Sequence, residues 1–468
     1  MKTIILTAVI LVFGLCFNAY SQSSNNIKYY GYYWIQDPGK NLDLVNEVAG
    51  FTNIINVRYD NGPNNSWDPA NAAKIRNAGV KIMLQVPFGT DSNQTLFVDS
   101  VARNTYLNQI RQDMINTDVL NSLAYFSIYE EWYVLISQGY YDAWPIFQGK
   151  TKEQKFAIAK QYLEQIIDDV HRVFPGIPTV IVENILPYPP PPNNVDVIGI
   201  DAYYIPTNPT CDQGQRAKFN NEVTPYYEAA RIYNKPIMMV APSFVGGPWR
   251  ILSECQMDWY KDLAQNTRYR IESVLWFAYG NVGEIMGVRN FPNTLYYQSK
   301  IGCQLAGGRP CVVLPEPPPE EPVVYTINLK ADNGKFVAAE FDGGQYFNAV
   351  YANRDNAYAW ETFSLIDLNG GLLVSGDWVG IRTGSGYYFR AESGGGSTID
   401  TTATSLGAWE EFMIEKVSVN GRVNSGDRVY FRTWSGIYFI VAELNLNNIV
   451  SANRTAVGSW ETFTINIR

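Results

Sequence analysis

The sequence predicts two folds in tandem: a (β/α)8 barrel (TIM barrel) over residues 22–311 and an all-β module, a β-trefoil, over 324–468. Three observations carry this. Before residue 311, eight short apolar strands alternate with longer polar-apolar stretches. A run rich in proline and glutamate, 312–323, then interrupts the pattern. Beyond it the texture changes to short strands and glycine turns, with Trp360, Trp409 and Trp460 recurring at intervals of about 50 residues.

Residues 1–21 read as a secretory signal. Lys2 is the positive end, 4–17 is the apolar run, and Ala19-Tyr20-Ser21 is a small-x-small cleavage site. The run of about 14 residues is short of the ~20 that span a bilayer, so a cleaved leader is expected rather than an anchor. The protein is therefore expected to be secreted, or held at the cell surface or in the periplasm. Cys211, Cys255, Cys303 and Cys311 remain after cleavage, an even count that points to disulfides in an exported chain. Three pairings are open. Cys303–Cys311 closes a short loop and leaves Cys211–Cys255 as its companion.

Composition bounds the chemistry. Of 468 residues 46% are hydrophobic and 17% charged, enough apolar surface for a large core. The net charge is −9 with no basic run, so neither nucleic acid nor an anionic membrane is an expected partner. One histidine, His171, serves the whole chain. That excludes any Ser-His-Asp or Cys-His site not built on it, and any multi-histidine metal site. No metal and no cofactor is expected, and the chain is expected to act as a monomer. If it catalyses a reaction, carboxylates must move the protons.

The eight strands of the first domain are read at 28–35, 52–59, 80–88, 123–129, 179–184, 195–204, 236–244 and 273–279. The clearest helix starts at Thr151, where Gln154 completes a capping box before Phe156, Ala159, Leu163, Ile166, Ile167 and Val170. His171 lies late in that helix, where a cation suits the C-terminus, and reads as structural. Asp168-Asp169 reads as a solvated helix face. A doubly wound sheet would have fewer strands and a Gly-x-Gly-x-x-Gly after the first, which is missing. Pro187 to Pro192 is a loop inside the domain, whereas 312–323 is a semi-rigid polyproline spacer.

In the second domain each repeat has an aromatic strand ending in Ala-Glu (Ala339-Glu340, Ala391-Glu392, Ala442-Glu443). Each then has Trp-Glu-x-Phe, ending at Phe363, Phe412 and Phe463. Three repeats with room for four strands each suggest a trefoil. The tryptophans are expected in its core, with ligands bound in shallow pockets, one per repeat. Tyr351-Ala-Asn-Arg354 with Ala359-Trp-Glu-x-Phe363, and Ser451-Ala-Asn-Arg454 with Ser459-Trp-Glu-x-Phe463, resemble the fascin-like branch of trefoils. The middle repeat departs, with Thr402-Ala-Thr404. On an exported barrel, that resemblance implies a glycan-binding module tethered to its substrate.

A barrel's site lies at the carboxyl ends of its strands. There the fourth strand ends Tyr129-Glu130-Glu131-Trp132, the fifth reaches Glu183, and the sixth ends Asp201-Ala-Tyr203-Tyr204. Neighbouring residues on a strand point to opposite faces, so one of Glu130 and Glu131 enters the site more directly. Glu131 is read as the acid and Glu130 as its substitute. The segment resembles the Asn-Glu-Pro lip of barrel glycosidases, with Glu131 in the glutamate's place and different flanking residues. That resemblance implies glycoside hydrolysis, in which one carboxyl protonates the leaving oxygen and a second activates water or attacks. The largest retaining superfamily places its nucleophile at the seventh strand end, but that end here is Val-Ala-Pro-Ser-Phe244. Asp201 or Glu183 is left as base or nucleophile. A third option is a substrate-assisted route through Asp201 and a nearby tyrosine, as in chitinase-like barrels, whose fourth-strand aspartates are missing.

Sugars stack their C–H faces on flat rings, and aromatics make up 14% of the chain. Trp34, Trp132, Tyr203 and Trp276 fall near predicted strand ends and are the expected substrate platforms. The expectation is a secreted glycoside hydrolase acting on a polysaccharide or oligosaccharide. The alternative is a non-catalytic carbohydrate-binding or adhesive protein with a degenerate barrel.

Overall fold

Eight parallel strands close on themselves in the computed structural model, which describes residues 27–35, 42–59, 67–88, 94–186, 189–206, 211–245, 251–281, 285–305, 311–317, 321–346, 348–417 and 421–468, with backbone alone for Asp43, Tyr129 and Glu130. The leader predicted over 1–21 lies outside the described residues.

The barrel strands are β1 (Tyr29–Tyr32), β2 (Ile54–Arg58), β3 (Lys81–Gln85), β4 (Leu123–Glu130), β5 (Thr179–Glu183), β6 (Val197–Asp201), β7 (Ile237–Pro242) and β9 (Ile271–Phe277), with β9 pairing back to β1. Two short strands, β8 (Phe244–Val245) and β10 (Met286–Gly287), form an antiparallel pair just beyond the carboxyl ends. Ten helices are described: α1 (Val45–Val48), α2 (Pro69–Ala78), α3 (Gln94–Val98), α4 (Ser100–Asn116), α5 (Trp132–Ser137), α6 (Lys152–Val173), α7 (Gln213–Glu222), α8 (Thr224–Arg231), α9 (Glu254–Gln265) and α10 (Pro292–Leu305). All eight predicted barrel strands are present.

Strand alternation separates two cores. Ile54, Met83, Tyr125, Val182, Val240 and Leu275 fill the interior. Their neighbours Ile55, Leu84, Phe126, Ile181, Met239 and Val274 pack outwards against the helices. Interior positions 31 and 199 are glycine because neighbouring strands leave no room. A Cβ on Gly31 would sit 1.7 Å from the Ile54 carbonyl oxygen, and one on Gly199 2.5 Å from Val182 Cγ2. The α6 capping box forms as predicted, Thr151 N–H donating to Gln154 Oε1 (2.9 Å) and Gln154 N–H to Thr151 Oγ1 (3.3 Å). His171 shares Asp196 with the Thr179 hydroxyl and N–H, tying the end of α6 to the start of β5. Asp169 is not on a solvated face. It is 3% exposed and pairs at 2.6 Å with Arg103 of α4, itself 0% exposed, because the last turns of α6 pack against α4.

Two disulfides, Cys211–Cys255 and Cys303–Cys311, resolve the pairing. The proposed spacer begins as part of the barrel domain: Val312 N–H donates to Gly50 O (2.9 Å) and Leu314 N–H to Ser299 Oγ (3.0 Å).

The second domain is all β, with twelve strands: β11 (Val323–Lys330), β12 (Phe336–Ala339), β13 (Val350–Arg354), β14 (Phe363–Asp367), β15 (Trp378–Arg382), β16 (Tyr388–Arg390), β17 (Asp400–Ala403), β18 (Glu411–Lys416), β19 (Arg428–Thr433), β20 (Phe439–Glu443), β21 (Ile449–Arg454) and β22 (Phe463–Ile467). Six of them, β11, β14, β15, β18, β19 and β22, pair antiparallel in a closed ring. The other six form three hairpins, β12–β13, β16–β17 and β20–β21.

The repeat motif is placed differently from expectation. Phe363, Phe412 and Phe463 are the core residues, and Glu361, Glu410 and Glu461 are buried with them. The tryptophans point away: Trp409 is 39% exposed, and Trp360 and Trp460 are half-buried. In the first repeat Trp360 and Glu361 sit in a short 3-10 turn (Ala359–Glu361) just before β14, which sends the glutamate inwards and leaves the tryptophan half-buried. Each carboxylate has a job inside. Glu361 accepts Tyr358 N–H (2.8 Å) and lies 3.6 Å from Arg354; Glu461 accepts Gly458 N–H (2.7 Å) and lies 3.7 Å from Arg454. In the middle repeat Arg390 instead pairs with Asp400 across β16–β17.

Candidate functional site

The carboxyl end of β4 is built around a bulge. Ser127 pairs with Val180 but Glu130 pairs with Val182, so β4 carries one extra residue. The chain then turns at Glu131, whose backbone is left-handed (φ 56°, ψ 32°). Glu131 N–H still donates to Val182 O (2.7 Å), while its own carbonyl accepts Leu135 N–H (2.8 Å) and opens α5. A non-glycine residue held there costs on the order of 1–2 kcal/mol, so its surroundings must impose the conformation.

Glu183, on the adjacent strand, is one such constraint. It is 0% exposed, and both its oxygens accept Tyr133 N–H at 3.2 Å. Burial drives its carboxyl well above the usual carboxylate range. The backbone N–H of Tyr133 opposes this, and the neighbouring Glu131 charge adds to it. Two predicted acids, Glu131 and Glu183, are therefore brought together, but with different surroundings: Glu131 is half-buried and Glu183 is sealed against α5.

Asp201 ends β6 at 9% exposure, in register with Val240, an interior position. Behind the larger effect of burial, its charge also helps raise the phenol pKa values of Tyr226, Tyr227 and Tyr260 on α8 and α9. The Glu130 side chain lies outside the described residues, as do Asp60 and Glu284; the Glu130 backbone shares the register of the interior residue Val182.

The four predicted platforms divide. Trp34 and Tyr203 are half-buried at strand ends. Trp276 and Trp132, against expectation, are sealed in the core, both 0% exposed. Trp276 alternates outwards between the interior residues Leu275 and Phe277, donates its indole N–H to Tyr30 (2.7 Å) and packs on Tyr260. Trp132 opens α5 with its ring stacked on Phe97 (4.5 Å). Neither presents a face to a ligand.

The rim holds residues that the sequence reading missed. Tyr33, Tyr203, Phe244 and Phe277 form one aromatic cluster, with ring centroids 5.4–6.3 Å apart. Tyr33 and Phe277 lie two beyond Gly31 and Leu275 and so share the interior phase; Tyr33 and Phe244 are buried, and Tyr203 and Phe277 are half-buried. Just inside, Asn56, Gln85 and Ser127 replace the apolar interior on three consecutive strands. Asn56 Nδ2 donates to Gln85 Oε1 (3.3 Å), and Gln85 is in register with Ser127. Asn56 Oδ1, Gln85 Nε2 and Ser127 Oγ are buried without a hydrogen-bond partner among the described residues. Buried polar atoms without partners cost stability, and here they concentrate on three consecutive strands in the outer part of the barrel interior. No group of three or more His, Cys, Asp or Glu suited to a metal ion occurs among the described residues, and no described helix is long and apolar enough to cross a membrane.

No protein-family model and no curated protein sequence matches the chain. Among solved structures it is similar to the β-D-glucuronidase of Dictyoglomus thermophilum (17% identity, 54% of this chain and 44% of that one, TM-score 0.34). It is similar also to fungal β-1,4-galactanases (12%, 53% and 88%, TM-score 0.37) and, over a shorter stretch, to the SDF2-like protein of Arabidopsis thaliana (7%, 31% and 94%, TM-score 0.27). The chain thus spans under half the length of the glucuronidase.

Proposed function

We propose that the protein is an exported glycoside hydrolase whose acid is Glu131, with a carbohydrate-binding β-trefoil as its second domain. The observation that carries the reading is that Glu131, Glu183 and Asp201 end three consecutive strands of a closed parallel barrel, Asp201 in the interior phase and Glu183 beside Glu131 in the outward one, at the same end as an aromatic cluster. Carboxyl groups deliver and accept the protons of glycosidic cleavage, flat rings stack on sugar faces, and buried amides read hydroxyls.

Within that reading, Glu131 protonates the leaving oxygen and Asp201 activates water. Their strands are separated only by β5, and the distance between the two carboxyl groups decides between an inverting and a retaining reaction. Glu183 serves as a positioning residue. The closed ring of six strands with three hairpins supports the trefoil assignment. The two disulfides support export.

A second reading, a carbohydrate-binding protein without catalysis, is favoured by one observation: β7 ends Ala241-Pro242-Ser243, with nothing ionisable. Incubating the protein with a panel of polysaccharides and detecting new reducing ends separates the two. Release from at least one substrate supports the hydrolase; binding without release supports the second reading.

A further inference from the structure

The first repeat of the all-β domain spends stability on an exposed aromatic. Phe341 is left-handed (φ 51°, ψ 28°) and 55% exposed. Asp342 follows at φ 66°, so two consecutive non-glycine residues occupy that region. A bulky side chain there is a genuine outlier, and an exposed ring returns little of the cost. The matching position in the second repeat, Ser393, keeps the backbone (φ 57°, ψ 20°) with a small residue, followed by Gly394. In the third repeat the matching residue is Leu444. Only the first repeat puts an aromatic ring on this turn.

That ring meets the repeat tryptophan. Phe341 and Trp360 stand 4.9 Å apart at 47°, both open to solvent in part. The two segments that meet here each carry one more exposed ring: Tyr346 at 89% and Tyr358 at 72%, the most exposed aromatic side chains described. The turn is pinned rather than loose, since Asp342 accepts Gly384 N–H (3.0 Å) and the Ser385 hydroxyl (2.6 Å). The nearby charges are largely spent on each other, Glu340 with Arg354 and Asp355 with Lys335.

From this we propose that the all-β domain binds a neutral polysaccharide at one site, the Phe341–Trp360 pair in its first repeat, and not at three equivalent sites. The inference rests on the carbohydrate reading above and narrows it. Two tilted rings, with Arg354 and Lys335 nearby already paired to Glu340 and Asp355, suit the C–H faces of one to three uncharged sugar rings. A protein partner would need about 800 Å² per side, more than the roughly 300–500 Å² that the two rings of the Phe341–Trp360 pair could supply.

The test is affinity electrophoresis of the full chain in native gels containing galactan, galactomannan, mixed-linkage β-glucan, hydroxyethylcellulose or soluble starch. The wild type should be retarded by at least one. Phe341→Gly removes the ring and relieves the backbone, so it should weaken retardation tenfold or more while the melting temperature holds or rises. Trp360→Ala should also lose binding, and Trp409→Ala and Trp460→Ala should keep it. No retardation by any of the five polymers, full retardation of Phe341→Gly, or equal losses at all three tryptophans would each overturn the proposal. Reducing-end release from soluble oligosaccharides is scored separately: release without gel retardation sinks this inference and spares the hydrolase reading, and retardation without release does the reverse.

Discussion

Glu183, sealed at the end of β5, receives the backbone N–H of Tyr133 on both carboxylate oxygens at 3.2 Å. One strand thereby holds the first turn of α5 and, one residue before that helix, the left-handed Glu131. Glu183→Ala should destabilise the protein by about 3 kcal/mol in urea unfolding, because it strands buried N–H donors. Glu183→Gln keeps an acceptor and should cost less. The folded pKa of Glu183 is raised above its unfolded value. Its contribution to stability is therefore full below the usual carboxylate range and is lost as pH rises through the folded value. The Gln variant should lack that decline; the same slope in both proteins would place its origin elsewhere.

Ser127 is fully buried, its hydroxyl without a hydrogen-bond partner among the described residues. Ser127→Ala should leave the melting temperature unchanged or raise it, since removing an unsatisfied hydroxyl recovers about 1 kcal/mol. Under the proposed function the same change should lower kcat/KM on the responsive glycan. A drop in stability would mean that the hydroxyl is already satisfied in solution.

Arg103 and Asp169 form a buried pair between α4 and α6, and burial lowers the guanidinium pKa to about 10. Asp169→Asn should cost about 3–5 kcal/mol because the arginine is left sealed and uncompensated. Combining Arg103→Met with Asp169→Leu should cost clearly less than the single change, and a double-mutant cycle measures the difference.

Gly31→Ala should be among the most damaging single-methyl changes. Its Cβ would overlap the Ile54 carbonyl oxygen where β1 pairs with β2. Loss of cooperative unfolding in near-ultraviolet circular dichroism is the expected result, against wild-type behaviour for Gly79→Asn, where the space is open and asparagine tolerates the left-handed turn.

The barrel was legible because eight apolar strands and a capped amphipathic helix leave a strong periodic record. The site was less so. Strands buried on both faces show nearly continuous apolar runs, which hide which parity faces inwards. The sequence therefore reads Trp276 as a rim residue, whereas its neighbours Leu275 and Phe277 hold the interior phase. The bulge before Glu130 leaves no residue-type signal. In the repeats, tryptophan is the larger apolar residue, yet glutamate is buried because an arginine and a backbone N–H await it. Such long-range partners are invisible along the chain.

The account depends most on Glu131 as the group that gives up a proton. The most direct measurement is reducing-end release by Glu131→Gln beside wild type, on whichever glycan the wild type cleaves, with unfolding curves for both. A fall of at least a thousandfold in kcat with an unchanged unfolding midpoint is expected. Activity near the wild-type level would contradict the account and move the acid to another carboxylate of the barrel mouth.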